Sequence, residues 1–232
     1  MVKHKYPLVA RIWRIIKAVT LFFFISTILV SLIYRFVPPP VTPLMLMRVI
    51  EQLAEGTELK LDKSWVSYDE ISPNLVRAVI TSEDNNFLEH YGIDFEAIEK
   101  ARKLNEHGKK LRGASTISQQ TAKNVFLWPG RNYIRKGLEV YFTYLIEITW
   151  SKQRIMEVYL NDIEMGNGIY GAEMASQTYF HKPAVDLTRS EAALIAAVLP
   201  NPRKWSPAHP TPYIMRKKNW ILGRMNKFRN PE

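Results

Sequence analysis

The chain has 232 residues, a formal net charge of +10 and no cysteine. The length allows one domain of ordinary size plus an appendage, and the missing cysteine excludes disulfides, thiolate metal sites and a Cys nucleophile. Residues 1–50 hold seven bases and no acid, which leaves 25 bases against 22 acids in residues 51–232. A nucleic-acid partner is therefore not expected. The nine bases and single acid of residues 101–136 favour an anionic substrate group or a phospholipid surface instead.

The first predicted element is a transmembrane helix over 18–34, a run without charge that contains eleven Val, Leu, Ile or Phe residues. Five bases precede the run in the basic N-terminus, residues 1–17, and only Arg35 follows closely. This asymmetry places the N-terminus in the cytoplasm and the rest of the chain outside. A cleaved signal peptide is the alternative, but no small-residue cleavage site follows the run. Residues 35–50 are predicted to be a Pro-rich linker and approach.

Residues 51–232 are expected to form one mainly helical domain, because strand-like alternation is scarce. Ser72 and Pro73 predict the start of a helix that ends near Glu83. Thr116 and Gln119 have capping-box spacing, so a helix that starts at Ser115 or Thr116 and reaches Asn124 is predicted. Further helices are predicted over 95–104, 134–150, 152–161 and 190–199, and residues 108–113 are expected to be a basic loop. The glycine-dense run 166–171 predicts tight turns. The fold class is therefore all-α.

The run from Glu83 to Gly92 carries more polar chemistry than a helix end requires. A carboxylate exposed where a helix gives way to a loop can act as a general base, which typically contributes ~10²–10⁴ in rate. A plain helix end with solvated acids is the alternative for the isolated Glu83 and Asp84 pair.

A glycine followed by hydroxyl residues opens the second unusual run, Gly113 to Asn124. Free backbone N–H groups at such a helix start form an anion site. Gln119, Gln120 and Lys123 would add donors suited to phosphate and sugar oxygens. Simple helix capping is the alternative.

A third group combines Arg131, Arg135, Lys136 and Glu139. Arg135 and Lys136 are four and three residues before Glu139, so both bases can flank its carboxylate on one helix face. The alternative is a surface salt-bridge cluster of low energy. Aromatic residues in 125–128 and 141–142 lie around it in the sequence, a mixture that suits a membrane interface.

Several other catalytic motifs are absent from the sequence. The histidines show no metal-ligand spacing and there is no His-Glu-x-x-His. Ser-x-x-Lys and Lys-Thr-Gly do not occur, which removes the simplest penicillin-binding transpeptidase interpretation.

Taken together, the runs resemble the peptidoglycan glycosyltransferases, in particular the monofunctional, membrane-anchored form of Gram-negative bacteria. Residues 83–92 match Glu-Asp-x-x-Phe-x-x-His-x-Gly, 113–120 match Gly-x-Ser-Thr-Ile-Thr-Gln-Gln, and 135–139 match Arg-Lys-x-x-Glu. Residues 152–161 and 168–182 match two further family segments, so the resemblance covers about 70–208. Ser118 stands where the family usually has Thr, and His181 replaces a common Gly.

The resemblance implies a lysozyme-like helical domain with a smaller membrane-facing jaw, preceded by one transmembrane helix. It implies polymerisation of lipid II into glycan strands by inverting β-1,4 transfer, with release of undecaprenyl pyrophosphate and sensitivity to moenomycin. The expected partners are lipid II, the growing lipid-linked strand, membrane phospholipid and cell-division or elongation proteins. The expected location is the bacterial inner membrane, with a periplasmic catalytic domain.

By the same resemblance, Glu83 is the general base, and Glu139 is the second catalytic carboxylate, which organises cations or a divalent metal, Mg²⁺ or Mn²⁺, near the pyrophosphate. No organic cofactor is implied. The substrate-binding residues implied by the matching motifs are Asp84, Phe87, His90, Gly113, Ser115, Thr116, Gln119, Gln120, Lys123, Asn124, Arg131, Arg135 and Lys136. Two other interpretations stay open: a lysozyme-like lytic enzyme that cleaves glycan, and an inactive anchored scaffold for cell-wall assembly.

Overall fold

The computed structural model describes residues 7–106, 114–130 and 132–231. The chain forms two units, one that ends at Val37 and one that begins at Pro38. The first contains α1, Pro7–Tyr34. Within the described ranges, α1 is the one helix long and apolar enough to cross a membrane. It begins well before the predicted span 18–34, so Arg11, Arg14 and Lys17 belong to the same helix.

The second unit is mainly helical, which confirms the all-α prediction. Its helices are α2 Pro43–Glu55, α3 Pro73–Glu83, α4 Phe95–Glu106, α5 Ile117–Phe126, α6 Tyr133–Thr149, α7 Lys152–Asp162, α8 Gly171–Phe180, α9 Arg189–Val198 and α10 Pro212–Leu222. Helix α2 starts inside the range predicted as linker and approach. The predicted loop 108–113 lies outside the described residues.

Side-chain caps explain where most of these helices begin. Thr42, Ser72, Asn132, Ser151 and Thr211 each accept a hydrogen bond from a backbone N–H in the first turn of the helix that follows. Such a bond satisfies one of the donors left free at a helix start. The sequence prediction of starts at Ser72 and near Ser151 is confirmed.

A small sheet joins distant parts of the second unit. Its strands are β1 Asp62–Lys63, β2 Glu164–Gly166 and β3 Ile169–Tyr170, in the order β1-β3-β2. β3 pairs parallel to β1 and antiparallel to β2. The tight turns predicted for 166–171 are confirmed, since Gly168 and Gly171 have φ values of 69° and 83°, a region that glycine tolerates best.

The core lies where α5 packs against α6 and α7, and where α3 packs against α9 and α9 against α10. Its largest fully buried side chains include Leu75, Ile80, Ile117, Ile146 and Tyr159. These residues belong to α3, α5, α6 and α7. The same helices carry or adjoin the segments that are predicted to contain the site residues. The core therefore fixes the end of α3 against the start of α5.

Gly171 is expected to tolerate no side chain. A Cβ at this residue would lie 2.7 Å from the backbone oxygen of Asn161, and its φ is +83°. Gly171→Ala should lower the free energy of unfolding by about 3 kcal/mol, through left-handed strain and overpacking. Gly137→Ala is the matched control: a Cβ there meets nothing within 4 Å inside α6, so it should raise stability by about 0.5–1 kcal/mol. Denaturant unfolding in detergent measures both, and equal effects would contradict the prediction.

Candidate active site

Glu83 is the last residue of α3, and its half-buried carboxylate is held on both oxygens. Ser82 Oγ lies 3.0 Å from Oε1, and Gln120 Nε2 donates to Oε2 at 3.3 Å. Gln120 belongs to α5 and to the second unusual run of the sequence, Gly113 to Asn124. The Glu83 carboxylate is therefore oriented both by a residue of its own helix and by a residue of that run. The structure therefore places Glu83 and Gln120, which the sequence assigned to one site, in direct contact.

Tyr159 on α7 supports this contact from behind. Its hydroxyl donates to Gln120 Oε1 at 3.3 Å, which orients the amide so that Nε2 faces Glu83. Burial, followed by the nearby Glu83 and Asp84 carboxylates, raises the pKa of Tyr159 well above its ordinary value. The phenol thus stays neutral and remains a hydrogen-bond donor. No sequence motif had assigned Tyr159 to the site.

Asp84, next to Glu83, is a positioning residue in this structure. Its carboxylate lies 3.0 Å from His90 Nε2 and accepts a hydrogen bond from the backbone N–H of Ile117 at 2.9 Å. Asp84 and the His90 side chain are almost fully buried, and Phe87 is fully buried. In this structure the side chains of these three residues pack inside the protein, where Asp84 ties the end of α3 to the start of α5. Their contact with substrate stays a prediction.

The start of α5 is capped by its own residues. Thr116 and Gln119 form a reciprocal capping box, and the Thr116 hydroxyl donates to the Gly92 carbonyl. The backbone N–H of Ile117 donates to Asp84. Thr116, Gln119 and Asn124 are buried, whereas Ser115 is exposed. Helix capping is therefore confirmed for this segment, and its contact with an anionic substrate stays a prediction.

Glu139 and its two bases form the second part of the site. Glu139 is 3% exposed, and Arg135 Nη1 donates to its Oε2 at 3.1 Å. Lys136 pairs with Oε1 while its own side chain stays 48% exposed. The predicted arrangement of both bases around the carboxylate is confirmed. It is not a solvated surface cluster, because Arg135 is buried and its Nε has no hydrogen-bond partner among the described residues.

Lys123 connects the two parts electrostatically. Burial lowers the pKa of Lys123, the carboxylates of Glu139 and Glu83 oppose the shift, and Arg135 and Lys136 add to it. Lys123 therefore lies within electrostatic reach of both predicted catalytic carboxylates. Within the described ranges its ammonium group forms no ion pair. A half-buried cation without a formed partner is suited to an incoming anion.

Lys217 on α10 is the site residue that sequence reasoning missed. Burial lowers the pKa of Lys217, and the Glu83 carboxylate opposes this. In the part of the chain that the structure describes, its ammonium group forms no ion pair. The only signal in the sequence is the basic run 216–218, which does not show which of these bases lies near Glu83. In the structure α10 packs against α3, the helix that ends at Glu83.

Lys217→Met is expected to lower transferase activity by about three- to tenfold. The reason is the loss of a partly screened charge interaction with Glu83, of about 0.7–1.4 kcal/mol. Lys218→Met removes the neighbouring charge on the same helix and should leave the activity within about twofold. Equal losses in the two variants would contradict a specific role for Lys217. Initial rates under identical detergent conditions make the comparison.

Two of the predicted site residues, Gly113 and Arg131, lie outside the described residues.

Among the aromatic residues, Phe126 and Phe142 stack on each other at 4.6 Å between ring centroids, so this pair packs within the protein. Trp128, Tyr133 and Ile134 are 45%, 97% and 77% exposed, and they follow α5 and begin α6. Of the runs 125–128 and 141–142, Trp128 is thus an exposed member, and the membrane interface stays a prediction.

A divalent cation at Glu139 does not fit the donor set found there. Both carboxylate oxygens are paired with cations, and no group of three His, Cys, Asp or Glu side chains with metal-site geometry occurs in the described residues. The metal implied by the resemblance stays a prediction.

A helical fold that holds one carboxylate against an amide, and pairs a second carboxylate with two cations, has the parts of a group-transfer enzyme. Comparison with known proteins agrees. Residues 49–226 match the family model described as Transglycosylase, and the chain belongs to this family. It is 54% identical to a biosynthetic peptidoglycan transglycosylase of Bacteroides thetaiotaomicron, over 96% of this chain and 90% of the relative.

Two further relatives carry the same description. The chain is 54% identical to the protein of Bdellovibrio bacteriovorus, over 91% of this chain and 84% of the relative. It is 53% identical to the protein of Rhodospirillum centenum, over 94% and 92% respectively. The matched region extends on both sides of the range 70–208 over which the sequence motifs were recognised.

Proposed function

We propose that this transglycosylase polymerises lipid II into peptidoglycan strands by inverting β-1,4 transfer. The relatives' description as biosynthetic peptidoglycan transglycosylases supports peptidoglycan as the product. The observation that carries the proposal is the combination of a carboxylate held in place, Glu83 with its contacts to Ser82 and Gln120, and a second carboxylate, Glu139, that is paired with two cations. The reaction needs both parts: a base for the acceptor hydroxyl and cations for the departing diphosphate.

Glu83 removes the proton from the acceptor sugar's 4-hydroxyl. The freed electron pair attacks the anomeric carbon of the lipid-linked donor, and the bond from that carbon to the diphosphate oxygen breaks. The electron pair of the broken bond leaves with undecaprenyl pyrophosphate, and attack from the opposite face inverts the anomeric carbon. The contacts from Ser82 and Gln120 hold the base in position before the reaction.

Negative charge that develops on the leaving diphosphate requires cations already in place. Lys123, Arg135 and Lys136 supply them from α5 and α6. Glu139 keeps Arg135 and Lys136 together at short distance, which offsets the repulsion between two neighbouring cations. Glu139 is thus best understood as the organiser of this cluster. Of these two bases, the half-exposed Lys136 is the one within reach of phosphate oxygens in solvent.

We also propose that α1 anchors the enzyme in the bacterial inner membrane with the catalytic domain in the periplasm. The length and apolar composition of α1 support the anchor, and the bases of residues 1–17 support a cytoplasmic N-terminus. A lipid-linked substrate requires that the active site be held near the bilayer surface. The exposed Trp128, Tyr133 and Ile134 are suited to contact this surface.

The test is incubation of the full chain with labelled lipid II in detergent, with and without moenomycin. Long strands that lysozyme digests, together with released undecaprenyl pyrophosphate and loss of both with moenomycin, are the expected result. Shortening of preformed glycan would instead identify a lytic enzyme. A folded protein that forms no product would identify the anchored scaffold.

A further inference from the structure

Helix α10 carries a stripe of aromatic and basic side chains, which consists of Tyr213, Lys217, Trp220 and, just after the helix ends, Arg224. Their spacings of four, three and four residues place them on one side of the helix. Tyr213 and Trp220 are 51% and 42% exposed, and Arg224 is exposed as well. The core contact of α10 is made by a different face, because Ile214 and Ile221 are fully buried. The stripe is thus a surface that the fold leaves open.

The aromatic rings of the stripe are held by their neighbours. Tyr213 packs against Trp205, with 5.5 Å between the ring centroids. The guanidinium group of Arg224 lies 4.7 Å from the ring centroid of Trp220, and its Nη1 donates to the Trp220 backbone oxygen at 3.4 Å. Side chains that are ordered before binding lose less entropy when a ligand packs on them. The stripe is therefore preorganised for a partner.

The surface around the stripe is positively charged. Residues 200–231 contain eight bases and no acid. Arg216 beside the stripe and Arg224 within it are exposed, and neither forms an ion pair among the described residues. A planar guanidinium group matches the geometry of a carboxylate, to which it can donate two parallel hydrogen bonds. The surface therefore suits an anionic partner that also has flat or apolar groups to pack on the rings.

Lys217 connects the stripe to the predicted catalytic base. α10 packs against α3, the helix that ends at Glu83. Burial lowers the pKa of Lys217, and the Glu83 carboxylate opposes this shift. From Lys217, Trp220 lies about 5 Å and Arg224 about 10 Å farther along the helix axis. An extended peptide of three residues covers about 10 Å. A short peptide attached to a sugar near Glu83 can thus reach the exposed part of the stripe.

We propose that the α10 stripe binds the acidic peptides that a peptidoglycan strand carries on its sugars. Carboxylates of the peptide pair with Arg216 and Arg224, while its amide planes and apolar groups pack on Tyr213 and Trp220. The proposal rests on the proposed function, which places such a strand at Glu83. It adds a determinant of specificity that is separate from the cations of α5 and α6: the enzyme binds peptide-bearing glycan in preference to bare glycan.

The test uses soluble peptidoglycan strands with a fluorophore at one end, either with their peptides or after an amidase has removed them. Fluorescence anisotropy gives the Kd of each strand for the full chain in neutral detergent. Arg216→Gln combined with Arg224→Gln removes the two unpaired bases of this surface. Lys227→Gln combined with Arg229→Gln is the matched control, since both bases are exposed and follow α10 in the chain. Thermal unfolding of both variants shows whether they are folded.

The original chain is expected to bind peptide-bearing strands about fivefold more tightly than stripped strands, as two exposed ion pairs allow. The Arg216 and Arg224 variant should lose this preference, and the control should keep it. Equal binding of both strands by the original chain would overturn the proposal. Equal losses in the two variants would also overturn it, because they would indicate unspecific attraction to a basic surface.

A lipid surface is the other anionic partner to be tested, with vesicles of phosphatidylglycerol. If the Arg216 and Arg224 variant loses binding to these vesicles but keeps the preference for peptide-bearing strands, the stripe binds lipid and the peptide assignment is wrong. Neither measurement consumes lipid II. A failure of the proposed chemistry would therefore appear in the lipid II assay, whereas a failure of peptide recognition would appear in strand binding alone.

Discussion

Glu83→Gln is expected to lower the rate of glycan polymerisation by about 10²–10⁴, because an amide cannot accept the proton of the acceptor hydroxyl. The substitution keeps the size of the side chain. It also keeps an oxygen that can accept one of the two hydrogen bonds at this residue, from Ser82 or from Gln120. Folding should therefore be nearly unchanged. The measurement is the initial rate of polymer formation from labelled lipid II, alongside thermal unfolding of the same preparation.

Glu89→Gln is the control for this variant. Glu89 belongs to the same motif run but is exposed, so its loss of charge should change the rate by less than about twofold. A Glu83→Gln enzyme with more than a tenth of the original rate would remove Glu83 from the role of base. A loss of rate accompanied by unfolding would instead indicate a structural role.

The second large effect is expected at Glu139. Glu139→Gln leaves the buried Arg135 with a neutral partner, and breaking a buried pair in this way costs about 3–5 kcal/mol of unfolding free energy. Activity should fall with stability, because Arg135 and Lys136 lose the charge that holds them together. Denaturant unfolding and polymerisation rates on the same variant measure the two effects.

Lys136→Met separates these effects. The Lys136 side chain is about half exposed, so its ion pair with Glu139 should contribute at most about 1 kcal/mol to stability, whereas a phosphate contact would be lost entirely. Lys136→Met is therefore expected to fold almost as well as the original and to react more slowly. If it is as active as the original while Glu139→Gln is not, Glu139 acts on Arg135 alone.

Local sequence signals were sufficient for three of the helices that begin with a cap, but not for α2 and α10, which Thr42 and Thr211 cap. Ser72 with Pro73, Thr116 with Gln119, and Ser151 fixed the starts of α3, α5 and α7, since capping depends on residues close in the chain. Helices α2, α8 and α10 were not predicted. α2 follows a proline-rich run that reads as linker, and α8 begins in the glycine-dense turn. Both obtain their stability from packing in the folded domain, which overrides weak local signals.

Within the site, the sequence correctly brought Arg135 and Lys136 to Glu139, because the spacing of residues on one helix determines which side chains meet. It did not predict that Asp84, which it assigned to substrate binding, accepts a hydrogen bond from the backbone N–H of Ile117, because the two residues lie about thirty positions apart in the chain. Periodicity within one helix carries no information on such a contact.

The sequence by itself therefore determined the helical class, the apolar span and the residue types that the chemistry needs. The order of its motifs was sufficient to recognise the family. Only the tertiary structure decided which groups face one another: Gln120 and Tyr159 behind Glu83, Lys123 in reach of both carboxylates, and Lys217 inward on α10. The physical reason is that caps and helix faces are set by neighbours a few residues away. The pairing of α3 with α5 and α10 is set by the burial of a common core.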